Sequence, residues 1–405
     1  MEDIKASSTI KNELNEWRIT RWRNLSAFFL LGLCNNFGYV VMLSAAHDIL
    51  KEKFSLVNDP TLNSTINLRG CNDLSTGAIL LADIIPSLIV KFTVPFLPFY
   101  INFRMAACVI TQIVGFLCVS YSNIQWLTIV GVALTSFSSG LGEVTLMSHC
   151  HKYHRENIVA WSSGTGGAGI IGAFSYAGLR TIVSTDQTLL VMLVVPILEA
   201  IAFWIIIAKP NNDTIVRHGM SSQDQIITTP KKSIKDKLKL LPGLIVFIVP
   251  LSLVYLFEYF INQGLHELVQ FDNIWLSHAE QYRWLQVDYQ IGVFISRSSA
   301  IFFSFKRVWL MAVLQLLNVV VFTTEAIFFY IPNIWIIFAF TFWEGLLGGG
   351  AYVNTYYRMA DTVPSENLRE SLGIVTMSDS LGITVAGWLA MPVHTAICKL
   401  PRPIR

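Results

Sequence analysis

Charge is what this chain has least of: only 14% of its 405 residues are Asp, Glu, Lys or Arg, against 53% that are hydrophobic. So little polar surface excludes a soluble globule of this length, which could not cover its own apolar atoms. The net charge of +2 comes from basic residues scattered through short loops, so there is no continuous basic face and no nucleic-acid partner is expected. Cysteine is scarce as well. The six thiols, with Cys34, Cys108 and Cys118 set in apolar stretches, read as small buried hydrophobes and not as a disulfide framework, and so leave the compartment open. A cleavable leader is also missing from the pattern: residues 1–23 are polar and charged, and Glu2 excludes N-myristoylation. The first apolar run is expected to serve as its own membrane signal.

Long hydrophobic runs, in contrast, are abundant. A bilayer core takes about twenty mostly apolar residues per helix, and about eleven such runs can be read. They fall near 25–46, 76–97, 104–121, 126–148, 158–179 and 187–208, and then near 242–263, 283–303, 307–330, 334–353 and 371–391. The expected fold is an all-α polytopic membrane protein in a 6+5 arrangement. Residues 1–24 form a cytosolic tail, 25–208 a six-helix bundle with a luminal loop at 47–75, 209–240 a cytosolic linker, 241–391 a five-helix bundle and 392–405 a C-terminal tail. The linker ends in Lys231, Lys232, Lys235, Lys237 and Lys239, a basic run suited to a membrane face.

A cytosolic N-terminus puts most Lys and Arg on the cytosolic side, as the positive-inside rule requires. It also sends Asn63-Ser64-Thr65 into the lumen as a glycosylation acceptor, while Asn24-Leu25-Ser26 and Asn212-Asp213-Thr214 face the cytosol and stay bare. An odd number of spans leaves Arg405 in the lumen, unless a re-entrant segment after Pro392 returns it.

Three motifs invite other readings. The run from Gly164 to Gly169 fits a dinucleotide fingerprint, yet it lies inside an apolar span without the preceding soluble strand. Gly164, Ala168 and Gly172 instead recur every four residues, the spacing of a close helix contact. Gly140-Leu141-Gly142-Glu143 faintly resembles an intramembrane protease signature without its second half. His149, Cys150, His151 and His154 are donors suited to zinc, but adjacent ligands chelate poorly and a solvated loop is the simpler reading, so no metal or cofactor is expected.

Ionisable side chains inside spans are costly and normally face the bundle interior. Asp83, Glu143, Glu199, Glu258, Glu325, Glu344 and Asp379 supply acids; Arg297 is the strong cation, with Lys91 nearer an end. Ser136, Ser139 and Glu143 share a helical face, as do Glu258 and Asn262, and Gln290 and Arg297. Converging near the midplane, they would form a solute site between two bundles. The candidate solute-binding residues are Arg297, Glu258, Asn262, Gln263, Gln290, Asn35 and Asn36. The candidate proton carriers are Glu143, Glu258, Asp379 and His47.

Longer blocks resemble the battenin family: LGLCNNFGYVVMLSAAHDIL at 31–50, SSGLGEVT at 138–145, WSSGTGGAG at 161–169, EYFINQGLHEL at 258–268, SHAEQYRW at 277–284, SRSS at 296–299, EGLLGGGAYVNT at 344–355 and SDSLGI at 378–383. The resemblance implies a fold related to the major facilitator superfamily, a late endosomal and lysosomal membrane location, and a role in clearing glycerophosphodiesters from the lysosome. Lysosomal pH, basic amino-acid transport and vesicle trafficking, with trafficking partners, are also attached to the family. Two targeting features depart from its pattern: the linker has only Asp224 before Ile226-Ile227, not a clear acidic dileucine, and Cys398-Lys399-Leu400 runs on to Arg405, so it is no prenylation box.

The expected function is therefore a non-enzymatic, proton-influenced exporter of small solutes working by alternating access. The alternative is a non-transporting scaffold acting through the linker. An intramembrane hydrolase using His47 and Asp48 lacks an activated nucleophile.

Overall fold

A computed structural model of the chain describes residues 2–53, 69, 76–122, 124–180, 182–208, 233–272, 274–276 and 278–403, and these are helical almost throughout. The helices are α1 Glu2–Lys53, α2 Thr76–Thr93, α3 Ile101–Tyr121, α4 Gln125–His149, α5 Glu156–Arg180, α6 Thr185–Val191 and α7 Val194–Ile201. They continue as α8 Ile234–Leu238, α9 Leu241–Phe260, α10 His278–Ser298, α11 Val308–Phe328, α12 Ile334–Thr362, α13 Ser365–Val375 and α14 Met377–Cys398. Among the described residues, eight helices are long and apolar enough to cross a membrane; α2, α5 and α10 are not among them. α5 carries a run of small residues and α10 polar residues throughout, whereas α2 is an apolar helix of 18 residues whose two charges are Asp83 and Lys91.

Two boundaries differ from the sequence expectation. α1 begins at Glu2 and runs to Lys53, so the expected polar tail is helical and the helix passes residue 47, where a loop was expected to begin. The sixth run is broken: α6 stops at Val191, α7 restarts at Val194, and a π-helical turn closes it at Ala202–Ile206. Ser184 starts α6 with a capping box, its hydroxyl accepting from Gln187 N.

Within the first set of helices α1 packs on α5, and α4 packs on α2 and α3; within the second, α10 packs on α12 and α9 on α11 and α14. The two sets meet where α2 lies along α14 and α5 along α10. Glycine permits these approaches. A side chain at Gly164 would run into the backbone of Phe29 on α1, and one at Gly172 into Val40. The opposite face of α5 presents Gly166 and Gly169 to Phe294 and Gln290 of α10. The fingerprint-like run is thus a two-sided packing seam. α10 and α12 approach in the same way at Gly292 and Gly345.

Arg69, between α1 and α2, donates to the carbonyls of Ala326 (2.6 Å), Ile327 (3.0 Å), Leu400 (3.1 Å) and Pro401 (2.9 Å). Arg69 therefore lies against the ends of α11 and α14. Cys34, Cys108, Cys118 and Cys150 are free, whereas Cys398 is disulfide-bonded, which corrects the reading of the thiols as hydrophobes only.

Candidate functional site

Pro86 shapes the first wall of the site. It cannot donate in the α2 ladder, and next to it Ser136 of α4 inserts its hydroxyl: Ser87 N donates to Ser136 Oγ at 3.2 Å, and that hydroxyl donates to Asp83 O. A side chain inserted at a proline is a recognised cause of a helix bend. Ser136, expected on the polar stripe with Ser139 and Glu143, is therefore a structural bridge, whereas Ser139 and Glu143 face inward.

They line a cavity of about 60 Å³ in the middle of the protein. Asn36 and Tyr39 come from α1, Ser87 and Lys91 from α2, Thr165 from α5, Tyr255 and Tyr259 from α9, Arg297 from α10, Tyr352 from α12, and Asp379 and Ser380 from α14. Every contributing helix carries at least one polar atom to this space. A cavity of this volume has room for a few water molecules.

The two cations are held differently. Lys91 Nζ lies 2.5 Å from Glu143 Oε2 and 2.9 Å from both Asp379 oxygens, so it joins α2, α4 and α14 in one buried ion triad. Arg297 has no carboxylate in ion-pair contact among the described residues. Its Nη1 donates to Thr165 Oγ1 at 2.5 Å, its Nη2 to Tyr255 OH at 2.8 Å, and its guanidinium lies 4.4 Å from the Tyr352 ring centroid. Its Nε is buried with no hydrogen-bond partner. Tyr352 links the two: its hydroxyl donates to Glu143 Oε1 at 2.6 Å. The arrangement can hold an anion at Arg297 through charge and hydrogen bonds, and a proton at a carboxylate oxygen.

Of the residues named from sequence as solute-binding or proton-carrying candidates, Arg297, Asn36, Glu143 and Asp379 come together here. The others do not. Asn35 is buried beside the cavity, its amide donating to Ser139 O at 3.0 Å, because Gly142 leaves room for it against α4. Glu258 accepts from Tyr289 OH, and Asn262 donates to Glu344 Oε1 at 2.9 Å, so both serve a separate network in the second set of helices. Gln263 accepts from Tyr282 OH at 3.3 Å, and Gln290 packs over Gly169. The side chain of His47 and the sequon at Asn63 lie outside the described residues.

Sequence reasoning missed Lys91 as a central residue: its place near the end of α2 hid a side chain that is only 3% exposed. It also missed the tyrosines, whose hydroxyls are indistinguishable from ordinary core aromatics until their neighbours are known. His149 and Cys150 are buried, His149 with its ring against Tyr153 and Phe203, so the expected solvated histidine loop is in part packed core.

Comparison with known proteins agrees with this architecture. The family model described as CLN3 protein matches residues 26–229 and 211–400. Battenin of Canis lupus familiaris is 40% identical, covering 94% of this chain and 92% of its own length. Protein BTN1 of Kluyveromyces lactis is 33% identical, covering 93% and 95%, and that of Yarrowia lipolytica is 34% identical, covering 92% and 94%. Among solved structures, the human organic anion transporter MFSD10 (TETRAN) superposes with a TM-score of 0.60 over 93% of this chain and 94% of its own, at 9% identity, which shows a major-facilitator-like fold. The chain belongs to the CLN3 protein family, the relatives of battenin, as a multi-pass, transporter-like membrane protein.

Proposed function

We propose that the chain exports a small organic anion, a glycerophosphodiester, from the lysosomal or late endosomal lumen by alternating access, as a carrier and not an enzyme. The N-terminus is cytosolic on this reading, and the carried partners are the solute and a proton. One observation carries it: Arg297 stands on the cavity wall with hydroxyl partners and, among the described residues, no carboxylate in ion-pair contact. A guanidinium in that setting keeps a full positive charge available to a phosphate, and its planar donors match two phosphate oxygens. The phosphodiester itself follows from the family resemblance.

The charges of the cavity supply the coupling. Lys91 and Arg297 balance Glu143 and Asp379, so an entering monoanion leaves one negative charge in excess in a region of low dielectric. A proton on either carboxylate restores neutrality. Solute and proton therefore bind together, and an acidic lumen favours loading. Flux of a labelled glycerophosphodiester into vesicles reconstituted with the purified protein, with and without a pH gradient, tests this. Flux is expected only with protein, and faster with the acidic side at the loading face. A folded protein that moves neither solute nor protons would favour the scaffold.

A further inference from the structure

Not every buried acid is explained by the cavity. Glu344 on α12 is fully buried, and its Oε1 accepts from Asn262 Nδ2 at 2.9 Å. Its Oε2 has no hydrogen-bond partner. Beside it stands His266, also fully buried, whose Nε2 lies 3.7 Å from that oxygen and 3.3 Å from Thr341 Oγ1. His266 Nδ1 is likewise buried and unpartnered, and Phe322 packs its ring edge-on at 5.0 Å. Neither residue lines the cavity.

We propose that Glu344 and His266 hold one exchangeable proton between them, forming a proton-binding site within the second set of helices, apart from the solute cavity.

The chemistry of the neighbours selects the position of the proton. An amide N–H can only donate, so Asn262 fixes Oε1 as an acceptor and leaves Oε2 to carry a hydrogen. That hydrogen faces His266 Nε2, so the proton rests on the carboxyl or on the imidazole, and either state avoids an isolated charge in a dry interior. No Lys or Arg among the described residues forms an ion pair with Glu344. The charged group that acts on Glu344 is Glu258 of α9, which accepts from Tyr289 of α10; Glu325 of α11 is turned to Ile331 N, from which it accepts at 2.8 Å, and Glu267 follows His266 in the chain. Glu267 lies 3.7 Å from His394 of α14, and this second His–carboxylate pair brings the titratable groups toward the end of the helix.

The local backbone places the pair at a structural transition. α9 gives way to a π-helical turn at Ile261–Leu265 and a 3-10 turn at His266–Leu268, so His266 sits where the helical ladder changes register. Asn262 meanwhile accepts from Gln286 of α10 at 3.2 Å and donates to Glu258 O at 3.2 Å. The protonation state of Glu344 is therefore read by α9, α10 and α12 together.

Infrared difference spectra of the purified full-length protein in lipid discs, between about pH 4 and 8, test the site without any solute. A carboxyl C=O band that changes with pH is expected in the wild type and in Glu143→Gln, and it should vanish in Glu344→Gln. His266→Gln should shift the pH at which the band changes. A spectrum in which Glu344→Gln removes nothing overturns the proposal. Should that variant fail to fold, an unmoved midpoint in His266→Gln overturns it and a moved one supports it. Because no solute is present, failure here leaves the transport reading untouched, and failure of flux leaves this site intact.

Discussion

Arg297 gives the transport reading its sharpest consequence. In Arg297→Lys the charge survives, but a single ammonium replaces the fork that spans Thr165 and Tyr255 at 2.5 and 2.8 Å. A hydrogen bond to a charged group contributes about 1.5–3 kcal/mol, and losing one such bond to the anion costs about tenfold in flux. Arg297→Gln removes the charge and both bonds, about 3 kcal/mol or more, so flux should fall by over about a hundredfold. Folding should be largely spared, because no carboxylate among the described residues is in ion-pair contact with Arg297, the freed hydroxyls of Thr165 and Tyr255 open onto the cavity, and a proton on a cavity carboxylate can offset the lost charge. The assay has two readouts: folded protein by size-exclusion profile and thermal midpoint, and uptake of a glycerophosphodiester by reconstituted vesicles. Normal folding with normal flux in Arg297→Gln would falsify the clamp. Loss of folded protein, restored by removing an acid, would show that Arg297 only neutralises a buried charge.

Lys91→Met should behave in the opposite way: it strands Glu143 and Asp379 without a counter-charge, costing about 3–5 kcal/mol of stability, and adding Asp379→Asn should recover part of the thermal midpoint. Gly292→Ala pushes a methyl into the backbone of Phe342 and Gly345, so the unfolding midpoint should drop by the equivalent of about 1–3 kcal/mol; an unchanged midpoint would mean that the α10–α12 seam is not tight. Asn63→Gln should increase gel mobility by one glycan in glycosylating cells, and unchanged mobility would count against the luminal assignment of that loop. Arg155→Ala breaks a pair with Asp361 in which both side chains are nearly half exposed, so it should change stability by less than about 1 kcal/mol.

The order of helices was legible because each apolar run must satisfy its own backbone in lipid, which leaves helix as the one solution for an open chain. The interior acids were legible for a related reason: charge in a span needs company. What the spacing left open was which company. Glu258 and Asn262 share a helical face, as expected, but that face looks toward α12 and not into the cavity, and no periodicity separates the two directions. Lys91 was hidden by its position near a helix end, and Tyr352 by being an aromatic residue in an apolar stretch. Asn35 and Asn36 are adjacent in sequence, yet about 100° of helical turn sends one into packing against α4 and the other to the cavity.

The distribution of contacts between the two sets of helices says where a carrier of this build can yield. At one face the sets are joined by Arg155 and Asp361, at 2.6 and 2.7 Å, and by Phe99, whose ring lies under both Arg104 and Arg369. The Asp361 carboxylate holds the Arg155 guanidinium above the ordinary arginine value, but an exposed pair of this kind adds at most about 1 kcal/mol. Such contacts can part and reform. The buried connections lie deeper: α5 along α10 through glycine, Arg297 to Thr165, Tyr352 to Glu143, and Lys91 to Asp379. Of these, the last two each end on a buried carboxylate, Glu143 and Asp379. A proton on Asp379 would weaken the tie between α2 and α14 while Glu143 keeps Lys91 neutralised on its own side. On the proposed mechanism, proton uptake therefore loosens one of the two long interfaces, and the glycine seam between α5 and α10 is left as the pivot.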